Sequence, residues 1–108
     1  MGFLEGKVAI VTGGGKGMGR GIALALAAEG ASLMLMGRTA AKLEETRSEI
    51  EGRGGRALTL AGDVKDPDAI ERCVAQTVSE LGTVDILINN AQEIILGTLL
   101  EVSEEDNQ

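Results

Sequence analysis

Four short apolar runs alternate along the chain with three stretches of helical periodicity. Val8-Ala9-Ile10-Val11, Leu33-Met34-Leu35-Met36, residues 57–61 and Val84-Asp85-Ile86-Leu87-Ile88 are too short for core helices, and the first two contain no polar residue. Unbroken apolar runs of this length mark strands covered on both faces, as in a parallel sheet. Residues 18–29 place Ile22, Ala25 and Leu26 on one helical face, and Gly30 stands where a helix-ending glycine belongs. Thr39 is positioned to cap a second helix in which Ala40, Leu43, Arg47 and Ile50 lie three or four apart, with Gly52, Gly54 and Gly55 ending it. The third helix has the clearest signature. Asp66 is the N-cap and Pro67 takes the first helical position, where its missing N–H costs nothing. Ile70, Cys73, Val74, Thr77, Val78 and Leu81 then follow the helical period up to Gly82.

A βαβαβαβ alternation predicts parallel strands joined by right-handed crossovers, an α/β Rossmann-type doubly wound sheet in the order 3-2-1-4. That handedness puts the first two helices on one face and the third on the other. Ser103-Glu104-Glu105-Asp106 has the form of a capping box, so another helix is expected to begin there. Without it the fourth strand has an uncovered edge and face. Residues 1–108 are therefore expected to be one portion of a single larger domain, truncated after the fourth strand.

Composition removes several alternatives. The chain has 108 residues, 44% hydrophobic and 25% charged, in the ordinary globular range. A net charge of −7 without a basic run argues against a nucleic acid or a membrane surface as partner. A single cysteine and the lack of a signal-like or membrane-spanning stretch point to a reducing, cytoplasmic location. There is no His, which excludes imidazole-dependent metal sites and Ser-His-Asp catalysis within this chain, and no metal site is expected. Phe3 is the only aromatic residue, so base-stacking platforms are excluded as well.

The chemistry concentrates in Thr12-Gly13-Gly14-Gly15-Lys16-Gly17-Met18-Gly19, between the first strand and the first helix. Five glycines in the seven positions 13–19 exceed what a tight turn needs. In front of a helix N-terminus, where unpaired N–H groups carry partial positive charge, such a loop is a phosphate cradle. The G-x-G-x-x-G spacing is absent because position 18 is Met, and a Walker A loop fails because Arg20-Gly21 follows Gly19. The spacing that fits is T-G-x-x-x-G-x-G on Gly13, Gly17 and Gly19, which also satisfies the G-x-G-x-G of methyltransferases. A methyltransferase would want an acidic residue at the end of the second strand, where Gly37-Arg38 offers none. In an open α/β sheet, Gly37-Arg38, Asp63-Val64 and Asn89-Asn90-Ala91 converge with the glycine loop on one crevice.

Together these residues resemble the N-terminal half of a short-chain dehydrogenase/reductase, of the NADP-preferring and 3-oxoacyl-thioester-reductase-like sort, over residues 5–108. The resemblance implies that Gly13, Gly14, Gly15, Lys16, Gly17, Met18 and Gly19 hold the adenosine ribose and pyrophosphate of NADP(H). It implies that Arg38 and Thr39, with Lys16, lie where a 2′-phosphate is read, that Asp63 and the Val64 backbone meet the adenine, and that Asn90 and Ala91 line the nicotinamide ribose. Asp63 also suits a turn cap, and Asn89 suits a strand-pinning role as well as a ligand contact. Gln92 departs from the usual Asn-Asn-Ala-Gly. In this family the catalytic Asn, Ser and Tyr-x-x-x-Lys come later, so none is expected before Gln108, and a chain without Tyr is expected to be inactive alone. The implied activity of the parent is hydride transfer between NADP(H) and a small-molecule carbonyl or alcohol substrate, a ketone or 3-oxoacyl thioester, in a homo-oligomer. A non-catalytic NADP(H)-binding module is the alternative, distinguished by whether a Ser and a Tyr-x-x-x-Lys pair occur beyond Gln108. Cys73, Met18, Met34 and Met36 read as packing residues, and the Glu44-Glu45 and Glu104-Glu105 pairs as water-facing.

Overall fold

In a computed structural model, residues 2–89 are described; the expectations placed on Asn90, Ala91, Gln92 and residues 103–106 lie outside them. The elements run β1 (Val8–Thr12), α1 (Gly17–Ala28), β2 (Ser32–Gly37), α2 (Ala40–Gly52), β3 (Ala57–Ala61), α3 (Pro67–Leu81) and β4 (Ile86–Asn89). All strand pairs are parallel and the order is β3-β2-β1-β4, as the alternation predicts. β1 and β2 are the central strands. Their apolar stretches, residues 8–11 and 33–36, follow from being covered on both sides, with Ala9, Val11 and Leu33 to Met36 fully buried.

The period-2 alternation of the strands splits the core into two layers. Ala9, Val11, Leu33 and Leu35 face α1 and α2 through Ala23, Leu43 and Ile50. Ile10, Met34 and Met36 face α3 through Ala69 and Cys73. This is the expected distribution of two helices on one face and one on the other. Helix ends obey their local chemistry: Asp66 accepts the Asp68 N–H at 3.0 Å, Pro67 opens α3, and Gly82 closes it in the left-handed region at φ +95°.

Several details differ from the sequence reading. α1 buries Gly19 and Ala23, while Ala25 is exposed and Ile22 and Leu26 are half-buried. The helix is apolar almost all round, so its buried face is set by where small residues allow close approach to the sheet. Met18 is not a packing residue; it is 72% exposed on the opening turn of α1. Thr39 is the N-cap residue of α2 but its side chain makes no capping bond. Thr46, not Arg47, completes the buried stripe of α2, because Arg47 turns outward to Glu44 and Glu51, each 2.7 Å away. β4 starts at Ile86, two residues late, because the Asp85 carboxylate takes the Val8 N–H at 2.9 Å while its own N–H donates to the Val8 carbonyl at 2.8 Å.

Cys73 is 1% exposed, and burial pushes its thiol above the ordinary range against a weaker opposite pull from Thr77. The raised value favours the protonated thiol in the fold. Its contribution is complete below the thiol's ordinary range and is lost as pH climbs through the raised one. Native protein at pH 8 should therefore react with a disulfide reagent at least about 10²-fold more slowly than urea-unfolded protein, as followed by thiol release. Equal rates would show that α3 does not seal this residue.

Candidate functional site

The carboxyl ends of β1, β2 and β3 open into one cleft, with about 650 Å³ of empty space continuous with solvent. Short backbone bonds tie its rim together. The Gly13 N–H donates to the Met36 carbonyl at 2.7 Å, and the Gly62 N–H donates to the Gly37 carbonyl at 2.7 Å. The glycine loop, the end of β2 and the end of β3 are thereby held as one unit.

The glycines of the loop have separate duties. Gly13 (φ +71°) and Gly17 (φ +42°) adopt the left-handed backbone that β-carbon-bearing residues disfavour. Around Gly17 a side chain would meet open space. Gly14 and Gly15 are small for protein packing: an added Cβ would stand 3.1 Å from Leu35 Cδ2 at the first, and 2.8 Å from Lys42 Cβ at the second. At these two positions the missing side chain admits β2 and α2.

The loop leads directly into α1, whose first-turn N–H groups have no helical acceptor. Its N-cap is Lys16, which supplies no capping bond, and its first turn holds no acidic residue. A cation at this end opposes the helix dipole, so the arrangement favours an external anion over self-capping. α3 is the internal contrast, being capped by Asp66 and carrying Asp68 in its first turn.

Lys16, Arg38, Lys42 and Lys65 line the cleft, and Asp63 is the one carboxylate among its lining residues. Among the described residues the ion pairs are made by Arg20, Arg47 and Arg53 with Glu44, Glu49 and Glu51, and none of the four cleft cations takes part. An anionic chain thus gathers unpaired positive charge at one place. Asp63 uses Oδ1 to accept the Lys65 N–H at 2.9 Å, and its carbonyl accepts the Asp66 N–H at 2.9 Å, so the turn-capping role is real and leaves Oδ2 over. Asn89 serves as a strand pin: its Oδ1 lies 3.0 Å from the Thr12 hydroxyl of the neighbouring strand.

The cleft therefore assembles Gly13, Gly15, Lys16, Arg38, Thr39, Asp63 and Val64 of the residues singled out in the sequence. Lys42 and Lys65 were missed. Lys42 looks like any lysine on an amphipathic helix; its one sequence signal is its place a turn after the Arg38-Thr39 corner. No group of three or more potential metal ligands occurs among the described residues, and no helix there is long and apolar enough to cross a membrane.

A family profile described as short chain dehydrogenase matches residues 7–108. A short chain dehydrogenase of Pseudocercospora fijiensis is 43% identical over 104 residues, covering 96% of this chain and 34% of that protein. A 12alpha-hydroxysteroid dehydrogenase of Clostridium sp. is 43% identical over 114 residues, covering 99% of this chain and 44% of that protein. Among solved structures, L-sorbose reductase from Gluconobacter frateurii, complexed with NADPH and L-sorbose, superposes with a TM-score of 0.80 at 39% identity, over 85% of this chain and 35% of that one. The chain thus spans less than half the length of these relatives.

Proposed function

Because the chain belongs to the short chain dehydrogenase family, we propose that its cleft binds NADP(H) and that the whole protein is an NADP(H)-dependent oxidoreductase acting on a small carbonyl or alcohol substrate. The observation that carries the cofactor reading is the set of cations around one cleft, unpaired among the described residues, in a chain of net charge −7. NADP(H) has two anionic centres, the pyrophosphate and the 2′-phosphate, and the cleft answers each. The backbone of residues 13–19 and the uncapped start of α1 suit the pyrophosphate. Arg38, with Thr39 and Lys16, suits the 2′-phosphate. Asp63 Oδ2 and the Val64 backbone suit the adenine, and Asn90 and Ala91 are assigned to the nicotinamide ribose.

When bound, the cofactor supplies the hydride. This chain's residues hold and orient it, while the proton donor belongs to a Tyr, of which the 108 residues contain none. The substrate is proposed as a ketone or 3-oxoacyl thioester, the assembly as a homo-oligomer, and the location as cytoplasmic. Fluorescence titration of the chain with NADPH and NADH is the direct test. NADPH is expected to bind about 10²-fold more tightly, and the difference to shrink as salt is raised, since the cations are exposed. Equal affinities at low salt would refute the cofactor assignment.

A further inference from the structure

We propose that Lys42 is a third cation of the adenosine 2′-phosphate subsite, and that Gly15 is the positioning residue that keeps it there. The inference rests on the NADP(H) reading above and extends it to Lys42, which that reading leaves out, and to a second duty of Gly15 beside its place in the glycine loop. Lys42 lies in the first turn of α2 and lines the cleft together with Lys16 and Arg38. It has no ion-pair partner among the described residues. Glu44 and Glu51 are engaged by Arg47, and Glu49 by Arg20 and Arg53. Glu45, one turn further along the helix, makes no ion pair with it. A lysine on an acid-rich helix that remains unpaired and borders a cationic cleft is available to an anionic ligand.

Gly15 explains why that lysine stands where it does. A Cβ built on Gly15 would lie 2.8 Å from Lys42 Cβ and 3.0 Å from both Leu43 N and Lys42 C. These are backbone-proximal atoms, so the side chain cannot swing aside to relieve the contact. The glycine loop and the first turn of α2 must move apart instead. The bare backbone of Gly15 is therefore the seat on which Lys42 rests, and a methyl group there displaces the cation from the cleft. Lys65 is placed differently: it follows the Asp63 turn, beside the one carboxylate of the cleft.

The probes are adenosine 2′,5′-bisphosphate and adenosine 5′-monophosphate, titrated into the 108-residue chain by calorimetry; their affinity ratio isolates the 2′-phosphate. Lys42→Met should reduce that ratio about tenfold with the 5′-monophosphate affinity little changed. Lys42→Arg should retain it. Gly15→Ala should reduce the ratio in the same direction, and its circular dichroism should match the wild type. A purely structural role for Gly15 would weaken both ligands alike and would overturn the positioning claim. A wild type that does not discriminate between the probes overturns the cofactor reading and this inference with it. A wild type that discriminates, with Lys42→Met unchanged, overturns the Lys42 assignment alone.

Discussion

Replacing Gly37 with Asp and Arg38 with Ala together should reverse the cofactor preference, a swing of about 10²–10³-fold from NADPH toward NADH. Arg38 is exposed at the cleft rim without an ion-pair partner among the described residues, so its removal costs a charged hydrogen bond to the phosphate and orphans no described acid. A well-aligned bond of that kind contributes about 1.5–3 kcal/mol, and exposure pulls the figure toward the lower end. A carboxylate at position 37 repels the 2′-phosphate and offers both ribose hydroxyls an acceptor. The geometry imposes one control. A Cβ at position 37 would sit 3.3 Å from Leu43 Cδ2, so Leu43 must yield by a few tenths of an ångström. Gly37→Ala measures that packing cost by itself and should weaken both cofactors equally. Binding titrations of the two cofactors to wild type, Gly37→Ala and the double variant decide the matter. A double variant that still prefers NADPH would show that the 2′-phosphate is read elsewhere in the cleft.

The expected salt sensitivity has the same origin. The protein as a whole repels anions, yet four exposed cations border its cleft against one carboxylate. A local positive field in a concave, partly desolvated site attracts a polyanionic ligand more strongly than net charge suggests. Elsewhere Glu44, Glu49 and Glu51 are paired with Arg20, Arg47 and Arg53, which neutralises acids that would otherwise oppose that field. Glu44 is held below the usual carboxylate range by the Arg47 guanidinium, which keeps that pair ionised across the physiological range.

The order of elements and the crevice were legible because each rests on a local rule. Two wholly apolar four-residue runs are too short for core helices and fit strands covered on both faces, and Asp66-Pro67 and Gly82 bracket α3 by capping chemistry alone. The convergence of the glycine loop, Arg38 and Asp63 follows from strand direction. What escaped is decided between elements. Which face of α1 is buried depends on how close the sheet allows it to come, and Gly19 and Ala23 win over the larger Ile22 and Leu26. Val74 and Val78 keep the helical period yet are 43% and 46% exposed, because periodicity identifies an apolar face but not what lies opposite it. Lys42 lines the cleft from α2 and packs against Gly15, a pairing 27 positions apart that no local pattern announces.

Leu35→Ala should be severely damaging, costing about 3–5 kcal/mol of a stability that for a domain of this size is typically only 5–15 kcal/mol. Leu35 is fully buried in β2, within the layer that joins the sheet to α1 and α2. A cavity there lies under the glycine loop, because Leu35 Cδ2 is the atom that an added Cβ on Gly14 would meet at 3.1 Å. The two positions should consequently couple. Gly14→Ala alone overpacks the contact and should cost about 1–2 kcal/mol. In the Leu35→Ala background Cδ2 is gone, the new methyl fills part of the void, and the same change should cost nearly nothing. A coupling of about 1 kcal/mol or more is then expected from urea unfolding of the wild type, both single variants and the double variant. Strict additivity within about 0.3 kcal/mol would show that the loop and the β2 core do not touch in the way the packing of Gly14 requires.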